Sequence, residues 1–323
     1  MLDGSLIKGW LLMKFHRLAW FTTIIIGVQM VLAGIIVGED AGFVCPSWPY
    51  CGKSGAFQIT GSLIFELVHR FVALFLGALV IWLLIWLFTS YRHNRAMVWT
   101  GCLGLLSLLI QIVYAGMIVL FVFPGVATTV DVLNSMVMLS LFVHLANLAQ
   151  REYQIKQGDV TAEPNVESRA LRPRAWTLYA VGMLTVAAGA VFRHTGASQA
   201  LFGEDSYILS HGQTVPPSQV ISQALLNIHM ATALLLIIAG VWFARVAFQK
   251  KRLTKTAILV IALIVVQAIL GVASLATKLE LVVVTFHWGV AGLIQGVIAF
   301  AVSKTYVGTA NRTRFRKVSG HVA

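Results

Sequence analysis

Residues 45–70 read CPSWPYCGKSGAFQITGSLIFELVHR, from Cys45 to Arg70. Two cysteines bracket a short loop of prolines and aromatics, and an apolar run then carries Glu66 and His69. Three residues apart, these two side chains share a helix face. An acid and an imidazole inside an apolar helix are expensive in hydrocarbon, and such residues mark functional sites. The run continues without a charge from Phe71 to Ser90, long enough to cross a ~30 Å hydrocarbon core.

The same pattern recurs along the chain. Of 323 residues, 58% are hydrophobic and 11% charged, too apolar a balance for a soluble chain of this length. Apolar runs occupy roughly 17–38, 62–89, 97–122, 127–149, 175–192, 221–247, 256–275 and 282–303. These predict an all-α polytopic membrane protein with eight transmembrane helices embedded in a lipid bilayer. The first run is too long for a cleaved signal segment, and no Arg/Ser-rich transit segment precedes it, which points to a plasma membrane.

The formal charge of +12 reflects topology. Twenty of the 24 Lys and Arg lie before the first helix, between even- and odd-numbered helices, or after the eighth. The positive-inside rule makes that side cytoplasmic, with both termini inside. A nucleic-acid partner is not implied. Cys45 and Cys51 then lie outside, where disulfides persist. A disulfide is favoured over free or metal-bound thiols, because no nearby His or third Cys completes a metal site.

Internal similarity divides the chain. Gln29-Met-Val-Leu-Ala-Gly34 in the first helix resembles Gln111-Ile-Val-Tyr-Ala-Gly116 in the third and Gln267-Ala-Ile-Leu-Gly271 in the seventh. Ala188-Gly189 in the fifth resembles Ala33-Gly34. A polar segment with Pro164 and Pro173 falls at the midpoint. The expected organisation is two tandem four-helix bundles, 1–150 and 175–323, joined by a cytoplasmic linker at 151–174. Each half carries a long outer loop after its first helix, at 39–61 and 193–220.

Duplication gives the histidines meaning. His69, His229 and His287 lie in the second, sixth and eighth helices, at similar depth, each with alanine four residues later. Any one alone reads as a membrane histidine satisfied by a neighbouring helix. In matched repeat positions, His229 and His287 read as the two axial ligands of one haem iron. The fourth helix differs. Gln267 precedes His287 by 20 residues, and 20 residues after Gln111 stands Asp131; Asn134 is the alternative one turn on. The first half therefore offers Glu66, His69 and Asp131. Arg193 and His194, ending the fifth helix, are candidates to meet a haem propionate. His16, His93, His144 and His211 read as boundary or loop residues, and Trp20, Trp48 and Trp99 as interfacial or loop aromatics. Cys102 reads as a small buried apolar residue.

CPSWPYC after a first helix, ELVHR in the second, FRHTGAS after the fifth and the histidines of the sixth and eighth together resemble the haem A synthase family. The resemblance covers nearly the whole chain. It implies oxidation of a porphyrin methyl of haem o to the formyl of haem a. It also implies haem b between His229 and His287, and a substrate half carrying Glu66 and His69, the latter binding the substrate iron. A haem O synthase supplying the substrate, a membrane electron acceptor and an oligomeric state are implied as partners. The chain departs from the family where Asp131 replaces a histidine, where the second outer loop lacks cysteines, and where Met230 replaces an arginine. A b-type electron-transfer cytochrome and a non-catalytic haem carrier are the competing classes. The former in its two-haem form wants four histidines at matched depth.

The charge distribution predicts that a cysteine introduced beside Lys53 reacts with a membrane-impermeant reagent added outside intact cells. Labelling only after access to the cytoplasm would invert the orientation.

Overall fold

The computed structural model describes residues 4–38, 44–45, 47–49, 51, 61–121, 125–157, 169–203 and 216–307, and side chains from Phe15 on. Eight long helices follow one another: α1 Gly4–Gly38, α2 Gly61–Ser90, α3 Arg95–Phe121, α4 Gly125–Lys156, α5 Arg172–His194, α6 Gln219–Gln249, α7 Thr254–Ala276 and α8 Leu281–Val307. Each is long and apolar enough to span a membrane. A single turn of helix, Ala197–Ala200, lies between α5 and α6. His211 lies outside the described residues.

Two helix ends differ from the sequence expectation, for local reasons. α4 runs six residues into the expected linker. There Glu152 pairs with Lys156 one turn on at 3.2 Å and accepts from Asn94 Nδ2 at 3.3 Å. Helix α5 begins with Pro173 in its first turn rather than after it, because a proline there gives up only an amide hydrogen that has no helical partner.

The helices form two rings. α1 packs on α2, α2 on α3, α3 on α4 and α4 on α1; α5 to α8 repeat the cycle. The rings meet where α8 touches α1 and α4, and where α4 touches α5. Exchanging α1 with α5 and α4 with α8 maps these contacts onto themselves, so the halves are related by an approximate two-fold. Helix α4 is the most buried of the eight spans.

Outward positions are apolar and exposed, among them Phe71, Leu74, Trp99, Val220 and Val272. That is the surface hydrocarbon requires, since lipid contributes no hydrogen bonds. Inward positions mix large apolar side chains such as Phe142 and Leu83 with small and polar ones. A Cβ on Gly104 would lie 2.9 Å from Phe142, and one on Gly240 2.9 Å from Ile264, which is how backbones approach closely in membranes. Hydroxyls such as those of Thr22, Thr23 and Thr100 donate to the carbonyl four residues back, which satisfies these donors within their own helix.

At the end of the bundle holding the termini, polar contacts stitch the halves. His144 Nδ1 and Ser303 Oγ are 2.8 Å apart, and Tyr179 donates to Ser140 at 3.0 Å. Thus His144 sits in a helix seam rather than at a boundary. Trp20 is likewise a seam residue, its indole donating to Gln150 at 3.1 Å, whereas Trp99 is exposed as an interfacial aromatic should be. His16 stacks near Tyr153, and His93 lies exposed, 3.7 Å from Glu152. Cys102 is only half-buried.

Candidate functional site

At the opposite end, Cys45 and Cys51 are joined by a disulfide. That settles their pairing against free or metal-bound thiols. The loop they close is held from α2. Arg70 donates through Nη1 to the carbonyls of Ser47 at 2.8 Å and Pro49 at 3.0 Å, and through Nη2 to that of Cys45 at 3.3 Å. The same guanidinium is paired with Glu66 one turn before it. The other oxygen of Glu66 accepts the Cys45 amide at 3.0 Å. Each oxygen of this buried carboxylate thus has a donor, and one arginine spans three carbonyls, as its planar fork of donors permits. Trp48, at the loop tip, lies against α3. A Cβ on Gly116 would lie 3.3 Å from the indole.

His69 sits one residue before the clamp and faces α1. Gln29 Nε2 is 3.1 Å from its Nδ1 and 3.0 Å from its Nε2, and donates to its carbonyl at 3.2 Å. In the second half, Gln267 Nε2 stands 3.3 Å from His287 Nε2. Gln111 neighbours Asp131 and accepts from Asn134 Nδ2 at 2.7 Å. The three repeated glutamines therefore stand beside His69, Asp131 and His287. An amide beside an imidazole fixes which ring nitrogen carries the proton. Asn134 is hydrogen-bonded to Ser107 and Gln111, while Asp131 keeps a buried Oδ1 without a hydrogen-bond partner.

His229 and His287 come together. Their ring centroids are 6.5 Å apart with planes at 80°. Two nitrogens bound on opposite sides of one metal at ~2.1 Å each place imidazole centroids about 6 Å apart, so the pair stands at the spacing that a shared iron demands. Both Nδ1 atoms are buried without a partner, as is Gln267 Oε1. Such orphans are rare in native interiors. Glycines of neighbouring helices make room for the rings. A Cβ on Gly189 would lie 2.8 Å from His229 Cε1, and one on Gly271 3.2 Å from His287 Cε1. These residues fit a haem held by both axial positions.

Arg193 and His194 end α5 as expected. His194 is buried, and Arg193 Nη2 reaches the carbonyl of Val37 at 3.5 Å, tying α5 to the end of α1.

The arrangement defines an integral membrane protein of two fused four-helix bundles, one with a facing imidazole pair and the other with one imidazole and one carboxylate. The chain belongs to the COX15-CtaA family, described as cytochrome oxidase assembly protein, which it matches over residues 57–299. Among curated proteins it is similar to a protein named Heme A synthase from Exiguobacterium sp., 30% identical over 193 residues that cover 59% of this chain and 61% of that one. Heme A synthases of Lysinibacillus sphaericus (22% identity over 90% of this chain and 96% of the relative) and Bacillus licheniformis (26% over 86% and 92%) match along nearly their whole length.

Replacing Arg70 by leucine leaves the Glu66 carboxylate buried beside one amide, and the loop loses three anchors. Breaking a buried pair in this way costs about 3 kcal/mol. The variant should melt at a lower temperature in detergent, and the disulfide of the folded protein should become reducible by mild thiol. Unchanged melting and reduction would show that the clamp holds nothing.

Proposed function

We propose that this protein oxidises a methyl group of haem o to the formyl group of haem a. The observation that carries the reading is the His229–His287 pair at haem-ligand spacing, taken with membership of a family whose similar proteins are named Heme A synthase. When water supplies the oxygen, methyl to formyl releases four electrons and four protons, so the protein must hold the ring, remove protons and pass electrons on.

The halves divide this work. Held between His229 and His287, haem b would supply a one-electron relay. Arg193 and His194, at the end of α5, would meet its propionates. Haem o binds in the first half with His69 as its imidazole ligand. Gln29 orients that imidazole. Asp131 Oδ1, buried without a hydrogen-bond partner, would bind weakly beside the substrate iron or take a proton. Glu66 joins the acid–base work only by releasing Arg70 or the Cys45 amide, so its first task is to keep the disulfide loop seated at the mouth of this bundle. The loop faces outward and both termini lie in the cytoplasm of a cell whose plasma membrane holds the protein. A haem O synthase delivers the substrate, and a membrane acceptor takes the electrons.

Expression in a host that makes haem o but no haem a tests the reading: extracted pigment should contain haem a. Unchanged haem o would favour a carrier. The His229→Ala and His287→Ala variants should lose the low-spin haem signal or turn it high-spin; a double variant with an unaltered low-spin spectrum would remove the pair from the site.

Asp131→Asn should lower haem a yield by about 100-fold, the scale of a lost proton acceptor, while the second-half haem spectrum stays intact. Asp131→His should create a second low-spin haem, since a second imidazole then faces the first-half iron. A wild-type haem a yield from Asp131→Asn would end the assignment of Asp131.

A further inference from the structure

Trp288 follows His287 and points the other way, out of its own bundle and into the first. Its indole Nε1 donates to the carbonyl of Met30 on α1 at 2.7 Å. Gly34 makes the crossing possible: a Cβ there would overlap the indole, with Cγ at 3.0 Å and Nε1 at 3.1 Å. Met30 is bonded to Gln29, whose amide lies 3.0–3.1 Å from the ring nitrogens of His69. A continuous route of covalent bonds and two hydrogen bonds therefore joins His287 to the imidazole of His69.

The fold does not need an indole there. The approximate two-fold places Val132, the residue after Asp131, at the corresponding position of the α4–α5 seam, and Val132 packs there as a buried aliphatic side chain. The α1–α8 seam is already close through small residues, since a Cβ on Gly289 would meet Val31 at 3.4 Å and one on Gly292 would meet Met30 at 3.3 Å. An indole in hydrocarbon also demands an acceptor for its N–H, a requirement that valine avoids.

We propose that Trp288 is the bridge by which electrons cross from the haem held at His69 to the haem held between His229 and His287. The proposal rests on the reading of the two haem sites given above. In each crossing the first-half iron loses one electron and the ferric second-half iron gains it; no bond forms or breaks and no proton is transferred. Trp288 is a positioning and bridging residue, and binds neither iron.

The test uses the full protein loaded with both haems under anaerobic conditions. A laser-excited flavin donor injects less than one electron per protein, and the separate visible bands of the two haems report how it redistributes. Trp288→Phe keeps an aromatic ring but removes the N–H; Gly34→Ala displaces the indole without changing it. Both variants should retain the low-spin spectrum of the second-half haem, with redistribution slowed about tenfold, equivalent to a barrier raised by about 1.4 kcal/mol. Redistribution at the wild-type rate in both variants overturns the bridge and leaves the site reading intact. Loss of the low-spin spectrum in Trp288→Phe also overturns it, since Trp288 would then serve ligation. Absence of a low-spin haem from the wild type would fell the site reading, and the bridge with it.

Discussion

An imidazole or carboxylate in hydrocarbon has no water to turn to, so each must find its partner in protein. Here that partner is a glutamine on a neighbouring helix: Gln29 for His69, Gln111 for Asp131 and Gln267 for His287. The constraint works in both directions. The amide settles the orientation of the ligand side chain, and burying the amide is tolerable because the ligand side chain answers it. Much of the remaining architecture follows from keeping these pairs in register. Glycines lie where rings must pass, and hydroxyls are turned back on their own helices.

The approximate two-fold makes the differences between halves informative. Equivalent seams could be built with equivalent residues, and largely they are. Asp131 stands where symmetry would place the counterpart of His287, Val132 where it would place that of Trp288, and Gln29 has Leu184 as its counterpart. In the proposed function the second bundle offers two nitrogen donors to one iron. The first offers one nitrogen and one oxygen donor, which would leave a face of the substrate ring less strongly held. The loop clamp adds to the asymmetry: Arg70 and Glu66 fasten a disulfide-closed loop at the mouth of the first bundle.

Much of this was legible in the sequence, because hydrophobic length and repeated spacing are one-dimensional signals. The eight spans, the pairing of Cys45 with Cys51, and the match of Gln111 and Asp131 to Gln267 and His287 needed only counting. What was not legible depends on how helices are rotated against one another. Nothing in the sequence marks the role of Arg70, whose guanidinium lies on three loop carbonyls. Gly189 and Gly271 read as repeat markers, yet they make room for His229 and His287 from neighbouring helices. His144 and Trp20 read as boundary residues, and both are in seams. The glutamines carried a usable signal that motif reading passed over: a polar residue 20 positions before both Asp131 and His287, and 40 before His69, is more than a marker of duplication.

The seam between α1 and α8 shows why the divided arrangement is useful. Oxidising a methyl group on a haem ring requires that the ring be accessible on the side where chemistry happens, while electrons leave through a centre that does not itself react. A second-half iron saturated by two imidazoles meets the second requirement and cannot meet the first. A first-half iron with one imidazole and a weak oxygen neighbour meets the first. Two such centres profit from being fused in one chain only if their separation and orientation are fixed. The Trp288–Met30 hydrogen bond, tight against Gly34, fixes them at the residues next to His287 and Gln29. Gene duplication alone would have produced two similar halves; in the proposed function, divergence at Asp131 and Trp288 assigns one half to the reaction and the other to its electrons.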